Sequence, residues 1–232
     1  MLLKKRKAYA AMQVCQFGLM QHMGSAKLLF QMGTAYDLVR KRNTALVYYK
    51  AALRSSTGSK KIKKSLIKKA IATLLYNIND FEGAKQIITT MENQEIDPGF
   101  DLLVNAKYQA SKGEFKKAIS LLDNNVSMTH SFNVDLLKAQ LLILDAQSKK
   151  ALALLEKRGS SLKNSQVSDT IYLLKSLALL ADNRPDDALN ELSRVKKTEG
   201  IKNYNLLKSI SYLSVGDQKK CAQELKKSVP PY

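Results

Sequence analysis

The chain has no tryptophan, four prolines, two cysteines and two histidines in 232 residues, and each scarcity closes a class of function. Cys15 and Cys221 lie at opposite ends of the sequence, so the disulfide framework of a small secreted domain is excluded. Neither His22 nor His130 has Cys, Asp or Glu at metal-ligand spacing, and no metal site is expected. The ten glycines are scattered and no G-x-x-x-x-G-K occurs, which removes the phosphate-cradling loop of nucleotide enzymes. No apolar run approaches the roughly 20 residues that span a bilayer. Short β-branched runs argue against a strand-rich domain. The acidic pair Asp186-Asp187 sits where a helix should start, and there it complements the helix dipole. No nucleophile, base and orienting group can be assembled from what remains. The chain therefore reads as a non-enzyme with no cofactor.

Acid is scarce at one end only. Residues 1–69 carry 16 Lys or Arg against a single acid, Asp37, whereas the remaining residues carry 22 against 19. Fifteen of the eighteen net positive charges thus fall in the first third. The candidate basic patch comprises Arg40, Lys41, Arg42, Lys60, Lys61, Lys63 and Lys64, with Lys4-Lys5-Arg6-Lys7 upstream. Such a field attracts an acidic protein surface, nucleic acid or anionic lipid, and K-K-R-K also fits the basic run of an import signal. Few rings interleave with these cations (Tyr9, Phe17, Phe30), so the stacking platform of a single-strand binder is thin. The segment after the basic start is interrupted by Gln13, Gln16 and Gln21 and lacks a small-x-small cleavage site, unlike a secretory signal. An intracellular location, cytoplasmic or nuclear, is expected.

What the sequence does have is a period. Ala45, Ala84, Ala118, Ala151, Ala188 and Cys221 recur at a nearly constant interval, and each follows a turn-like segment. Each also precedes a large residue by four: Tyr49, Ile88, Leu122, Leu155, Leu192 and Leu225. A period of about 34 residues marks a helical repeat array, in which each helix pair buries its face against the next. The first interval is the longest and accommodates the basic connection S-S-T-G-S-K-K-I-K-K. Residues 26–36 read A-K-L-L-F-Q-M-G-T-A-Y and are followed by T-A-L-V-Y-Y-K-A-A-L, placing Leu29, Gly33, Tyr36, Ala45, Tyr49 and Ala52 at characteristic positions. In this the chain resembles the tetratricopeptide repeat family, with six imperfect repeats over residues 26–232. Gly113 and Gly216 fit the left-handed residue between paired helices, and Pro185 fits the first turn of a second helix. Ala11 lies one period before Ala45, and residues 1–25 are read as a basic N-terminal helix, the second helix of a partial repeat.

The resemblance implies an all-α, right-handed solenoid of antiparallel helix pairs whose first helices line a groove. Carried over position by position, the partner-binding groove would present Lys69, Tyr76 and Lys107, then Leu136, Leu173, Leu177 and Ile210. Lys27, Phe30, Thr34, Thr73, Leu206 and Leu213 fall at equivalent places. Chaperone-docking members clamp a terminal carboxylate with Lys and Asn; Phe30 and Thr34 stand at the corresponding first-repeat positions, so no Hsp70 or Hsp90 clamp is expected. A protein-interaction scaffold or adaptor for an acidic or amphipathic segment is the leading expectation. A helical-repeat binder of RNA or another polyanion, and a bacterial secretion or assembly chaperone, are the alternatives. Neither end carries an evident polar cap, which suits a fragment or a subunit whose end is covered by another chain.

Overall fold

The computed structural model describes residues 2–56, 62–125, 132–159, 165–196 and 204–228. Among them are thirteen α-helices and no strand. Helix α1 spans Leu2–Gln21 and precedes the pairs. Twelve helices follow in chain order: α2 (Ala26–Leu38) pairs with α3 (Arg42–Ser55) and α4 (Lys64–Asn77) with α5 (Phe81–Thr89); α6 (Pro98–Ser111) and α7 (Phe115–Asn124) come next. Then come α8 (Phe132–Leu144) with α9 (Ser148–Gly159), α10 (Ser165–Ala181) with α11 (Pro185–Ser193), and α12 (Tyr204–Ser214) with α13 (Gln218–Ser228). The fold class is an all-α helical repeat.

The chain divides into two compact units, Met1–Ser111 and Lys112–Tyr232. In the first, α1 packs on α2 and every later helix packs on its predecessor. One core joins Ala45, Tyr49, Ile67, Ile71, Leu74, Ala84, Ile88 and Val104; a second, between α1 and α2, joins Ala8, Met12, Cys15, Met32 and Ala35. Burial pushes the Cys15 thiol pKa up, away from thiolate chemistry. In the second unit α8 touches α10 and α10 touches α12, so the first helices of successive pairs are neighbours.

The period seen in the sequence has a backbone counterpart. Arg40, Asn79, Gly113, Ala146, Asn183 and Gly216 all have positive φ, from 57° to 83°. Each lies five residues before the small residue of its repeat. Within each unit such a residue reverses the chain between paired helices. The next amide then closes the turn back to the first helix, as in Lys41 N to Tyr36 O (2.9 Å) and Gln147 N to Leu142 O (2.7 Å). Only two of the six positions are glycine. A left-handed conformation costs a residue with a Cβ about 1–2 kcal/mol. Nothing lies within 4 Å of a Cβ built on Gly113 or Gly216, so a substitution there tests the backbone alone. Gly113→Ala is expected to lower unfolding free energy by about 1 kcal/mol, and Ala146→Gly to raise it by a similar or smaller amount. Urea unfolding of the two variants in parallel checks the opposite signs.

The small residues occupy the close crossings they were expected to. Ala45, Ala84, Ala118, Ala151 and Ala188 are all 0% exposed. Their large companions Tyr49, Ile88, Leu122, Leu155 and Leu192 are buried as well. The register loosens in the last pair, where Cys221 is half-buried and Leu225 is exposed. A further device recurs within pairs: a polar residue near the start of the first helix holds the end of the second. Lys68 donates to Thr90 O (2.5 Å), Asp169 accepts from Lys196 N (3.0 Å), and Asn205 donates to Lys227 O (3.3 Å). Asp135 pairs with Arg158 across α8 and α9 in the same way.

Candidate functional site

The first helices carry the candidate groove, and the two units present it differently. In the first unit, Lys69 and Thr73 on α4 are exposed. They line a cleft of about 290 Å³ together with Ile88, Ile96, Asp97 and Phe100. Tyr76 does not stand free: its ring meets Phe81 and Phe100 edge-on, with centroids 5.6 Å away in both cases. Burial raises its phenol pKa. Lys107 on α6 is half-buried, and desolvation pulls its ammonium pKa down. Phe30 packs against Tyr49, with centroids 5.4 Å apart, while Lys27 and Thr34 are exposed. The expected cationic stretch is therefore a lysine-rimmed surface with aromatic packing beneath it.

In the second unit the groove positions form an apolar strip. Leu206, Ile210 and Leu213 recur at i, i+4 and i+7 along α12 and are 39%, 41% and 59% exposed. Leu177, on the neighbouring α10, is 38% exposed. The side of α12 turned inward holds Ser209 and Ser211, which satisfy their hydroxyls on carbonyls one turn back. Three large apolar side chains of α12 thus face water, while Tyr204 and Leu207 on its other side join the core with Leu192 and Val195. Leu136 and Leu173 have a divided role. Leu136 packs on Ala139, Leu155 and Ile171, and Leu173 packs on Leu192, Val195 and Tyr204, so each is half core and half surface.

The basic patch is only partly free charge. Lys41, Lys63 and Lys64 are exposed. Arg40 is the left-handed turn residue of its pair. Arg42 donates to the Asn77 carbonyl (2.8 Å) and so ties the start of α3 to the end of α4. Lys60 and Lys61, like His130, lie outside the described residues. Asp186 and Asp187 occupy the first turn of α11 directly after Pro185, where Arg184 bridges back to Asp187 at 2.6 Å. Among the described residues no three His, Cys, Asp or Glu converge as a metal set, and no helix is long and apolar enough to cross a membrane.

One surface escaped the reading of the sequence. Helix α1 buries Ala8, Met12 and Cys15 but exposes Val14 (70%) and Phe17 (64%) on the opposite side. The signal was present in the one-period offset from Ala11 to Ala45, which places α1 but leaves open what covers it.

No family model matches the sequence, and no curated protein does. Solved structures do match. A tetratricopeptide repeat protein from Parabacteroides merdae aligns over 97% of this chain and 87% of its own, with 16% identity and a TM-score of 0.78. YrrB, described as a TPR protein with an unusual peptide-binding site, covers 92% and 90% with 14% identity and a TM-score of 0.38. The TPR2AB domain of yeast Sti1, solved with pHSP90, covers 95% and 96% with 13% identity and a TM-score of 0.38. At 0.78 over nearly the whole chain, the first of these shows that the protein has the tetratricopeptide-repeat fold.

Proposed function

We propose that the protein is a non-enzymatic interaction scaffold, an adaptor or subunit of a multiprotein complex, that holds an acidic amphipathic segment of a partner. The observation that carries this reading is the leucine strip of α10 and α12, formed by Leu177, Leu206, Ile210 and Leu213. Such a strip suits the apolar face of a helix or the alternate side chains of an extended segment. The acidic character of the partner follows from the +18 net charge and its concentration in residues 1–69.

The two features act on different rate constants. Exposed lysines steer encounter, and their effect fades once salt shortens the screening length to about 8 Å at physiological ionic strength. Apolar anchors that leave water on binding govern dissociation. With a partner in hand, Lys63→Glu, Lys64→Glu and Lys69→Glu together are expected to slow association about tenfold at low salt and little at high salt. Leu177→Asp is expected to speed dissociation about tenfold or more while leaving association nearly unchanged. Surface plasmon resonance at two salt concentrations reads both. Unaltered kinetics in both variants would remove the groove as the binding face. Retention of the wild-type chain on single-stranded RNA, with a steep salt slope and no response to Leu177→Asp, favours the polyanion alternative.

A further inference from the structure

Helix α1 departs from the repeat at one face. In five repeats the alanine equivalent to Ala11 is 0% exposed, because it lies in a close crossing with another helix. Ala11 itself is exposed. Val14 stands three residues on, equivalent to Tyr48 of α3, whose ring stacks on Tyr36 of the first helix α2 at 5.2 Å. Yet Val14 is 70% exposed and Phe17, one turn further, 64%. The opposite side of α1 is fully used, since Ala8, Met12 and Cys15 form a core with Met32 and Ala35 of α2. The helix therefore packs as a second helix should against the following repeat. On the side where a first helix packs in other repeats, it offers a small residue flanked by large apolar ones.

Charge narrows the occupant. Helix α1 contains no acid, and Arg6 and Lys7 are exposed at its N-terminal end. Asp37 is the single acid in residues 1–69. A second copy of this chain meeting α1 through its own residues 1–69 would bring a like-charged surface to the same place, and such juxtaposition opposes binding.

We infer that the Ala11–Val14–Phe17 face of α1 is a docking surface for an acidic amphipathic helix of a partner protein, which packs antiparallel to α1 as a first repeat helix packs on its second. The alanine permits close approach of the backbones, Val14 and Phe17 receive the partner's apolar face, and acids near its C-terminal end meet Arg6 and Lys7. This site is separate from the leucine strip of α10 and α12, and either can fail without the other.

The test uses the full chain and a synthetic four-turn helix with Leu, Gly and Tyr at the spacing of Leu29, Gly33 and Tyr36 and glutamates at its outer positions. A lysine version of the same peptide is the control. Fluorescence anisotropy is expected to give saturable binding of the glutamate peptide, at least tenfold tighter than the lysine peptide. Val14→Glu with Phe17→Glu should weaken it at least tenfold, and Leu177→Asp should leave it unchanged. All three side chains are exposed, so circular dichroism should report an intact fold in each variant. Ala11→Leu should leave the melting temperature unchanged, in contrast to Ala45→Leu. Equal binding of both peptides, binding indifferent to Val14→Glu with Phe17→Glu, or loss of binding only on Leu177→Asp would each overturn the inference. So would a dimer in sedimentation that dissociates on the Val14 and Phe17 substitutions, since the occupant would then be a second copy.

Discussion

Gly33→Leu is expected to lower the stability of the first unit by about 3 kcal/mol or more, and Gly33→Ala by about 1–2 kcal/mol, at the upper and lower parts of the range for overpacking. A Cβ at Gly33 would lie 2.6 and 2.7 Å from two ring carbons of Tyr49. That ring cannot swing aside. Tyr49 is 4% exposed, its ring lies against Phe30, and its hydroxyl donates to Thr34 Oγ1 at 3.3 Å. Replacing glycine in a helix gains up to about 1 kcal/mol of propensity, which softens the alanine variant and cannot rescue the leucine one. Ala118→Leu, at a fully buried position of the second unit, should cost about 1–3 kcal/mol for the same reason. The double variant Gly33→Ala with Tyr49→Leu separates clash from lost packing, since removing the ring atoms nearest the new Cβ should recover part of the alanine penalty. Thermal unfolding of Gly33→Leu indistinguishable from wild type would show that α2 and α3 do not cross as closely as the repeat requires.

The repeat was legible because it is written in steric terms. A small residue at a close helix crossing, with a large one a turn later, is a local pattern, and six copies in register mark the helices and their order. The turns were half legible. Gly113 and Gly216 announce a left-handed residue, and Asn79 and Asn183 tolerate one, but Arg40 and Ala146 adopt it with a side chain that gives no local sign of it. The site was less legible than the fold. Leu136, Leu173 and Leu177 share one helical pattern, and only the packing of α8 to α12 decides which of them faces a core, water or both. A helix that is apolar on nearly every side does not declare its buried face. The cations misled for a related reason: Arg42 counts as surface charge in any sequence tally, yet its guanidinium donates to the Asn77 carbonyl at the end of α4. Least visible were the buried acids. Asp135 and Asp169, one repeat period apart, follow the array themselves, but their partners lie on the following helix and its end, where no sequence window joins them.

Those acids set the second large effect. Asp135 is 6% exposed, in the first turn of α8, and its carboxylate pairs with Arg158 in the last turn of α9. Each charge sits at the helix end whose dipole favours it, and together they pin the two ends of one helix pair. Removing one partner strands the other. Arg158→Ala leaves a carboxylate out of water without its counter-ion, which typically costs about 3–5 kcal/mol; the guanidinium side chain is 27% exposed, so water entering its place should hold the loss near about 3 kcal/mol. Replacing both groups removes the charge that needed compensation. Asp135→Leu with Arg158→Leu should therefore fall within about 1 kcal/mol of wild type, although it deletes more contacts than either single change. Asp169→Ala supplies the comparison with a neutral donor. It removes the acceptor of the Lys196 N–H, which should cost about 1–3 kcal/mol. Urea unfolding of these variants beside wild type orders them: Arg158→Ala lowest, Asp169→Ala intermediate, the double replacement near wild type. If the double replacement is as unstable as Arg158→Ala, the pair itself contributes the stability, and the cost of an unpaired buried charge is not what governs this crossing.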